Sequence, residues 1–263
     1  MSYINKNSVN IPSLSPTEQK IYSELYSERV ITTEDVKGII GHKAPDYITN
    51  LREKGYIKKI RKGLYAIVPP NMIGEDIKPD KFLIADKVKD DHYISHHSAL
   101  EIHGLAQTIH NRVYITSTTP SRSFRYEDIE YKFITTKHFF GFEEKSRLNS
   151  TITVSDREKT ILDCIRNIKY AGGLEELIKS LEGVHSLDWD KILDYLCKID
   201  ENSLYQKTGF ILDELDTRFP VEDKILSKVG KRTYYIHENK DSYYVKKWNL
   251  MVPKKLREWI TSA

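Results

Sequence analysis

The sequence predicts an α+β fold in two domains, a small one over residues 1–70 and a larger mixed α/β one over residues 71–263. Three observations predict it. The first 70 residues read as three short helices followed by two strands around a basic, glycine-containing turn. A Pro-Pro pair at 69–70 and a polar stretch from Gly74 to Asp80 then read as a linker. Beyond it, strand-like alternation over 112–136 gives way to helical periodicity from 155 to 215.

Each early element has a local cause. Ser15-Pro16-Thr17-Glu18 reads as a helix start: Ser15 caps, Pro16 suits the first turn, and Glu18 completes a capping box. Ile21, Leu25 and Tyr22 then form an apolar stripe. Thr33 is the expected cap of a second helix over 34–40, with Val36, Ile39 and Ile40 inward and Gly41 as its stop. A third helix is expected from Pro45 to Lys54, ended by Gly55. Strands are expected at 56–60 and 64–68, joined through Arg61-Lys62-Gly63.

Helix, short helix, turn, helix and basic hairpin are the order of a winged helix-turn-helix, in which the third helix enters the major groove and the hairpin is the wing. At 100° per residue, Ile48 and Leu51 face inward with Ala44 and Gly55. Asp46, Asn50 and Glu53 face outward, Thr49 lies at the edge, and Arg52 falls near the inward flank. Double-stranded DNA is therefore the expected partner. Lys43, Lys58, Lys59, Arg61 and Lys62 are the candidate phosphate contacts, and Asn50 and Thr49 the candidate base readers. Asp46 suits the positive end of the helix dipole.

Charge is laid out as basic, acidic, basic. Residues 1–68 carry a net +4, residues 69–223 a net −8 and residues 224–263 a net +7, within a total of +3. In the last block lysines and arginines, including Lys240 and Arg257, alternate with Tyr234, Tyr235, Tyr243, Tyr244, Trp248 and Trp259. That pattern suits a nucleic-acid or acidic-protein surface, and equally the packing of a strand.

In the second domain, helices are expected at 81–89, at 96–103, from the Ser155–Glu158 box to about 168, and at 174–181, 188–199 and 204–215. Strands are expected at 93–94, 113–116, 124–126, 129–134, 151–154, 233–236 and 243–245. Ser95 is an expected cap, Ser155-Asp156-Arg157-Glu158 a second capping box, and Gly172-Gly173 a helix stop. Cys164 and Cys197 are expected as buried free thiols of a reducing cytoplasm.

Catalytic signatures are missing. There is no Walker A loop, dinucleotide fingerprint or Gly-x-Ser-x-Gly elbow, and Asp156-Arg157-Glu158-Lys159 scans as a helix start rather than a metal-nuclease site. His92, His96, His97, His103 and His110 lack the spacing of a tetrahedral metal set. No enzyme activity, metal or cofactor is expected. Met1 to Leu14 has no apolar core of a signal peptide, and no apolar run spans a bilayer, so a cytoplasmic location without membrane association is expected.

From about Leu14 to Trp259 the chain resembles the AbiEi family, the antitoxin half of type IV toxin–antitoxin pairs of abortive phage infection. The stretches that carry the resemblance are GYIKKIRKGLYAIVP at 55–69, YISHHSALEIHGL at 93–105, TVSDREKTILDCIRNIKYAGGLEE at 153–176 and YQKTGFILDEL at 205–215. The resemblance implies a winged helix that represses its own operon and a C-terminal domain that neutralises a nucleotidyltransferase-like toxin. It places the DNA-contacting wing on Arg61, Lys62 and Gly63. Ser155, Glu158, Asp163, Gly172 and Gly173 match its motifs and read as structural. Some relatives carry a nuclease-like C-terminal domain, whose carboxylate pattern this sequence lacks. The alternatives are a stand-alone regulator with a ligand-sensing or dimerising second domain, and a DNA-targeted nuclease.

Overall fold

The computed structural model describes residues 11–184, 186–215, 220–237 and 241–256. The fold is mixed α+β, in two compact units. The first runs to Asp90 and takes in 125–129 and 144–152, and the second comprises the rest. The sequence placed a boundary at 70/71. Ile73 and Ile77 in the supposed linker are buried, so the chain stays in the first unit for another 20 residues.

The first unit opens with α1 (Pro16–Leu25), then β1 (Val30–Thr32), α2 (Thr33–Ile40), α3 (Ala44–Glu53), β2 (Ile57–Arg61), β3 (Leu64–Ile67) and α4 (Lys81–Asp86). The Ser15 capping box is formed. The Ser15 amide donates to Glu18 Oε2 at 2.6 Å, and the Glu18 amide donates to Ser15 Oγ at 3.4 Å. Glu18, buried, also receives Lys54 Nζ at 2.6 Å, which ties the end of α3 to the start of α1. The second cap falls one residue before the expected Thr33: Thr32 Oγ1 accepts the Asp35 amide, and Asp35 returns the bond to the Thr32 amide.

β1, β3 and β2 form an antiparallel sheet in that order. The unexpected strand β1 has only three residues, too few to show a period. It exists because Val30 and Ile31 bury against the hairpin, paired with Ala66 and Tyr65. Tyr22 holds α1 to the strand exit, its hydroxyl donating to the Val68 carbonyl at 2.6 Å. Asp80 caps α4 through the Phe82 and Leu83 amides and meets Arg147 in a bidentate pair at 2.8 and 2.6 Å. The helix expected over 81–89 ends at Asp86.

The second stretch contributes β4 (His92–Ile94), α5 (His96–Ile102), β5 (Arg112–Ser117), β6 (Phe124–Tyr126), β7 (Ile129–Thr135), β8 (Phe142–Arg147) and β9 (Ser150–Ser155). These strands build a six-stranded sheet in the order β6-β7-β5-β4-β9-β8. β4 is antiparallel to β5 and parallel to β9, and β5 is parallel to β7. β8 was not expected, because its residues Phe-Glu-Glu-Lys-Ser-Arg show no apolar alternation.

Helices α6 (Arg157–Arg166), α7 (Leu174–Glu182), α8 (Trp189–Ile199), α9 (Asn202–Glu214) and α10 (Glu222–Leu226) follow, then β10 (Tyr234–Tyr235), β11 (Ser242–Val245) and β12 (Leu250–Pro253). Asp156 alone caps α6, accepting the Lys159 amide at 2.8 Å; Ser155 instead pairs its hydroxyl with Thr160. Ser95 precedes α5 without a side-chain cap bond. Gly172 and Gly173 stop the preceding turn with φ of +90° and +103°. The core of this unit joins α6 to α9 with the final sheet around fully buried Trp248. Cys164 is buried as expected, whereas Cys197 is exposed, because it falls on the outward face of α8.

Candidate functional site

α3 presents the face its periodicity predicts. Ala44, Ile48 and Leu51 are buried, and Asp46, Thr49, Asn50 and Glu53 are exposed. Arg52 differs from expectation: it too is exposed, because at 100° from Leu51 it falls outside the buried stripe. Lys43, exposed, ends the one-turn helix that leads into α3. The Thr49 hydroxyl donates back to the Pro45 carbonyl at 2.9 Å, which leaves it as an acceptor only. The carboxamide of Asn50 projects from the exposed face, while its backbone carbonyl closes the helix through the Lys54 amide.

The hairpin is placed by its turn. Gly63 adopts φ +79°, a region that favours glycine. Its carbonyl accepts the Thr33 amide at 2.9 Å, docking the turn against the N-terminus of α2. The β2–β3 register shifts between Lys59 and Arg61, so one extra residue in β2 leaves Ile60 buried while Lys59 and Arg61 are both exposed. Lys62 is exposed at the turn. Lys59, Arg61 and Lys62 thus crowd one end of the hairpin.

Lys58 does not belong with them. Its ammonium meets Asp76 at 2.6 Å and Glu127 at 2.9 Å and lies 5.7 Å from the Tyr126 ring. The Asp76 hydrogen bond leads the upward shift of its pKa. With two carboxylates already neutralising it, Lys58 is poorly suited to a phosphate. The sequence missed this because Asp76 and Glu127 lie 18 and 69 residues away.

The second unit carries a buried polar network. Lys159, 1% exposed, bonds Asp163 Oδ1 at 2.5 Å and Tyr93 Oη at 3.1 Å. The Ser95 and Thr116 hydroxyls pair at 2.7 Å, and His96 Nδ1 meets Ser95 Oγ at 2.8 Å. Burial pushes the His96 imidazole down to about 4, against a smaller opposing effect of Asp163, so the ring is neutral at physiological pH.

His97 lies between Glu101 and Glu176 at 3.3 and 3.2 Å and stacks on His110 at 3.6 Å, while His103 Nε2 meets the Ser155 carbonyl. Among the described residues no group of three or more His, Cys, Asp or Glu side chains is placed to hold a metal ion. Asp156, Glu158 and Lys191 form a salt-bridged cap, with Tyr195 donating to Asp156 at 2.6 Å.

In the basic aromatic C-terminal stretch the described lysines and Arg232 are exposed, whereas Trp248 is internal. Trp248 is fully buried and donates to Asp213 Oδ2 at 3.0 Å, Lys247 pairs with Asp213 and Glu222, and Lys254 pairs with Asp241. Tyr235 and Tyr244 are exposed. Lys240, Arg257 and Trp259 lie outside the described residues, as does the segment read for a signal peptide up to residue 10.

No protein-family model matches the chain, and no curated protein matches it. The fold is similar to that in the crystal structure of the RV2827C protein from Mycobacterium tuberculosis, with a TM-score of 0.63. That similarity covers 91% of this chain and 92% of the other at 16% sequence identity. Among the described residues no helix is long and apolar enough to cross a membrane.

Proposed function

We propose that the first unit is a winged helix-turn-helix that binds double-stranded operator DNA. In this reading the chain is the antitoxin and autorepressor of a type IV toxin–antitoxin operon. It acts in the cytoplasm by binding rather than by catalysis, and it neutralises a nucleotidyltransferase-like toxin. The observation that carries the DNA-binding part is the cluster of exposed Lys59, Arg61 and Lys62 at the hairpin end, fixed to the start of α2 by the Gly63–Thr33 bond. Phosphates are met there and at Lys43, and bases by Asn50, with Thr49 offering an acceptor. The antitoxin part rests on the four sequence stretches that resemble the AbiEi family.

The test is the salt dependence of DNA affinity in the full chain. Replacing Lys59, Arg61 and Lys62 together by alanine leaves up to three phosphates without a protein cation. The slope of log affinity against log salt then falls by roughly 0.9 for each such phosphate, about 2.7 in all. An unchanged slope refutes the assignment.

A second reading, a stand-alone regulator whose second unit binds a small ligand, is favoured by the polar cleft around His96. Co-expression with the product of a neighbouring nucleotidyltransferase-like gene separates the two. Rescue of growth supports the antitoxin, and its absence supports the regulator.

A further inference from the structure

Two clefts of the second unit meet. One, of about 470 Å³, lies between one face of the six-stranded sheet and α6, lined by Tyr93 and Thr116 on the sheet, by Thr136 just past β7, and by Asp163, Arg166 and Tyr170 opposite, with His96 within it. The other, of about 490 Å³, is lined by Lys169, Lys207, Tyr235 and His237. Arg166 and Asn167 line both. Each lies within the roughly 300–1,000 Å³ range of small-molecule sites.

The first cleft is walled by hydrogen-bonding groups, and one of them has no partner. His96 is 2% exposed, and its Nε2 makes no hydrogen bond among the described residues. Its backbone sits at φ +52°. A left-handed non-glycine residue is uncommon, and persists where the surroundings fix it. The other ring nitrogen, Nδ1, is hydrogen-bonded with Ser95 Oγ at 2.8 Å, which holds the ring and its orphan Nε2 in place. Asp163 spends one oxygen on Lys159 and holds Tyr93 only at 3.5 Å, which leaves acceptor capacity. Arg166 and Glu201 neutralise each other in a bidentate pair at 2.8 and 2.5 Å. The wall therefore offers neutral or compensated groups suited to hydroxyls.

The second cleft differs in charge. Lys207 is half-buried, and its ammonium makes no hydrogen bond or ion pair among the described residues. Desolvation lowers its pKa, against a smaller opposing effect of Glu201, as for a cation held partly out of water. Lys169 and His237 lie on the same wall, and no carboxylate lines it.

We propose that the joined clefts bind one phosphate monoester of a small polyhydroxylated molecule, a sugar phosphate. The phosphate sits among Lys169, Lys207 and His237, and the hydroxyls meet His96 Nε2, Asp163 and Thr116. A nucleotide base fits less well. Of the tyrosine rings lining the first cleft, Tyr93 is already stacked on Phe142 at 5.5 Å, and Tyr170 has the Lys132 and Lys169 ammoniums 5.3 and 4.9 Å from its centroid, so neither offers a clear stacking slot. This assignment is independent of the DNA-binding reading.

Calorimetric titration of the full chain with ribose 5-phosphate, inorganic phosphate, ribose and adenosine monophosphate tests it. Ribose 5-phosphate is expected to bind, inorganic phosphate and ribose each at least about tenfold more weakly, and adenosine monophosphate no more tightly than ribose 5-phosphate. Lys207→Ala should weaken ribose 5-phosphate by about tenfold or more. His96→Ala should reduce it to the level of inorganic phosphate while leaving inorganic phosphate itself unchanged. If His96→Ala does not fold, the ratio of ribose 5-phosphate to inorganic phosphate affinity in the unaltered chain decides the hydroxyl half. The proposal is overturned by silence from all four probes at millimolar concentration, by equal affinity for inorganic phosphate and ribose 5-phosphate, by Lys207→Ala without effect, or by adenosine monophosphate binding tenfold more tightly than ribose 5-phosphate.

Discussion

Replacing Gly209 with alanine tests how the second unit closes. Gly209 lies inside α9, where alanine is the better helix former by roughly 0.8–1.0 kcal/mol. Local propensity alone therefore predicts stabilisation. The tertiary packing predicts the reverse. A Cβ at Gly209 would stand 2.1, 2.4 and 2.5 Å from the Cζ3, Cη2 and Cε3 atoms of Trp248. Unstrained carbon pairs sit about 3.5–4.0 Å apart, so the indole must retreat by more than about 1 Å. It has little room, being fully buried and pinned by its Nε1 bond to Asp213. Overpacking of this kind costs about 1–3 kcal/mol, and this clash with a rigid ring lies at the upper end. After the propensity gain, the net loss is about 1–2 kcal/mol, or a fall in Tm of roughly 2–8 °C at 2–4 °C per kcal/mol for a chain of this size. Thermal denaturation followed by circular dichroism and tryptophan fluorescence measures it. Gly38→Ala is the control. Gly38 is exposed in α2 with nothing within 4 Å of a Cβ, so that change should raise Tm. A Gly209→Ala protein as stable as the parent, or more so, would refute the packing account.

Asn50→Ala should lose about 1–3 kcal/mol of affinity for the operator and little for random DNA; equal losses on both would remove Asn50 as a base reader. The full chain carrying alanine at Lys59, Arg61 and Lys62, expressed from an unrelated promoter, should still rescue cells from the neighbouring toxin. Failure of that soluble, folded variant would tie neutralisation to DNA binding. His96 makes stability pH-dependent. Its folded pKa, depressed by burial to about 4 from 6.5, means the unfolded chain binds more protons between those values. The stabilisation is fully present above 6.5 and declines as pH falls towards 4. His96→Gln should flatten urea-denaturation stability across that window, and an unchanged slope would place the titration elsewhere.

Local signals proved legible wherever the cause of an element lay within a few residues. The Ser15-Glu18 box, the buried stripe of α3, the glycine turn at 63 and the stop at Gly172-Gly173 follow from neighbours in the chain, and each stands where periodicity and capping put it. The basic residues of the hairpin end were legible in the same way, whereas the register shift that exposes both Lys59 and Arg61 was not. Strands β1 and β8 were not, since neither carries a period and each exists only because a partner strand accepts it. A single residue's shift of cap, from Thr33 to Thr32, lies within what competing hydroxyls leave open.

The candidate sites divide along the same line. Composition and order alone determined an α+β chain with a basic hairpin after a helix whose outer face carries Asn50. Only the tertiary structure withdrew Lys58 into the Asp76–Glu127 pair, buried Trp248 against Gly209, and joined Tyr93, His96, Thr116 and Asp163 at one cleft. Charge and aromaticity are properties of a residue, whereas availability depends on which distant groups the fold brings within about 4 Å of it. A sequence pattern of period two or 3.6 fixes the face on which a side chain lies, and long-range packing then decides what that face meets.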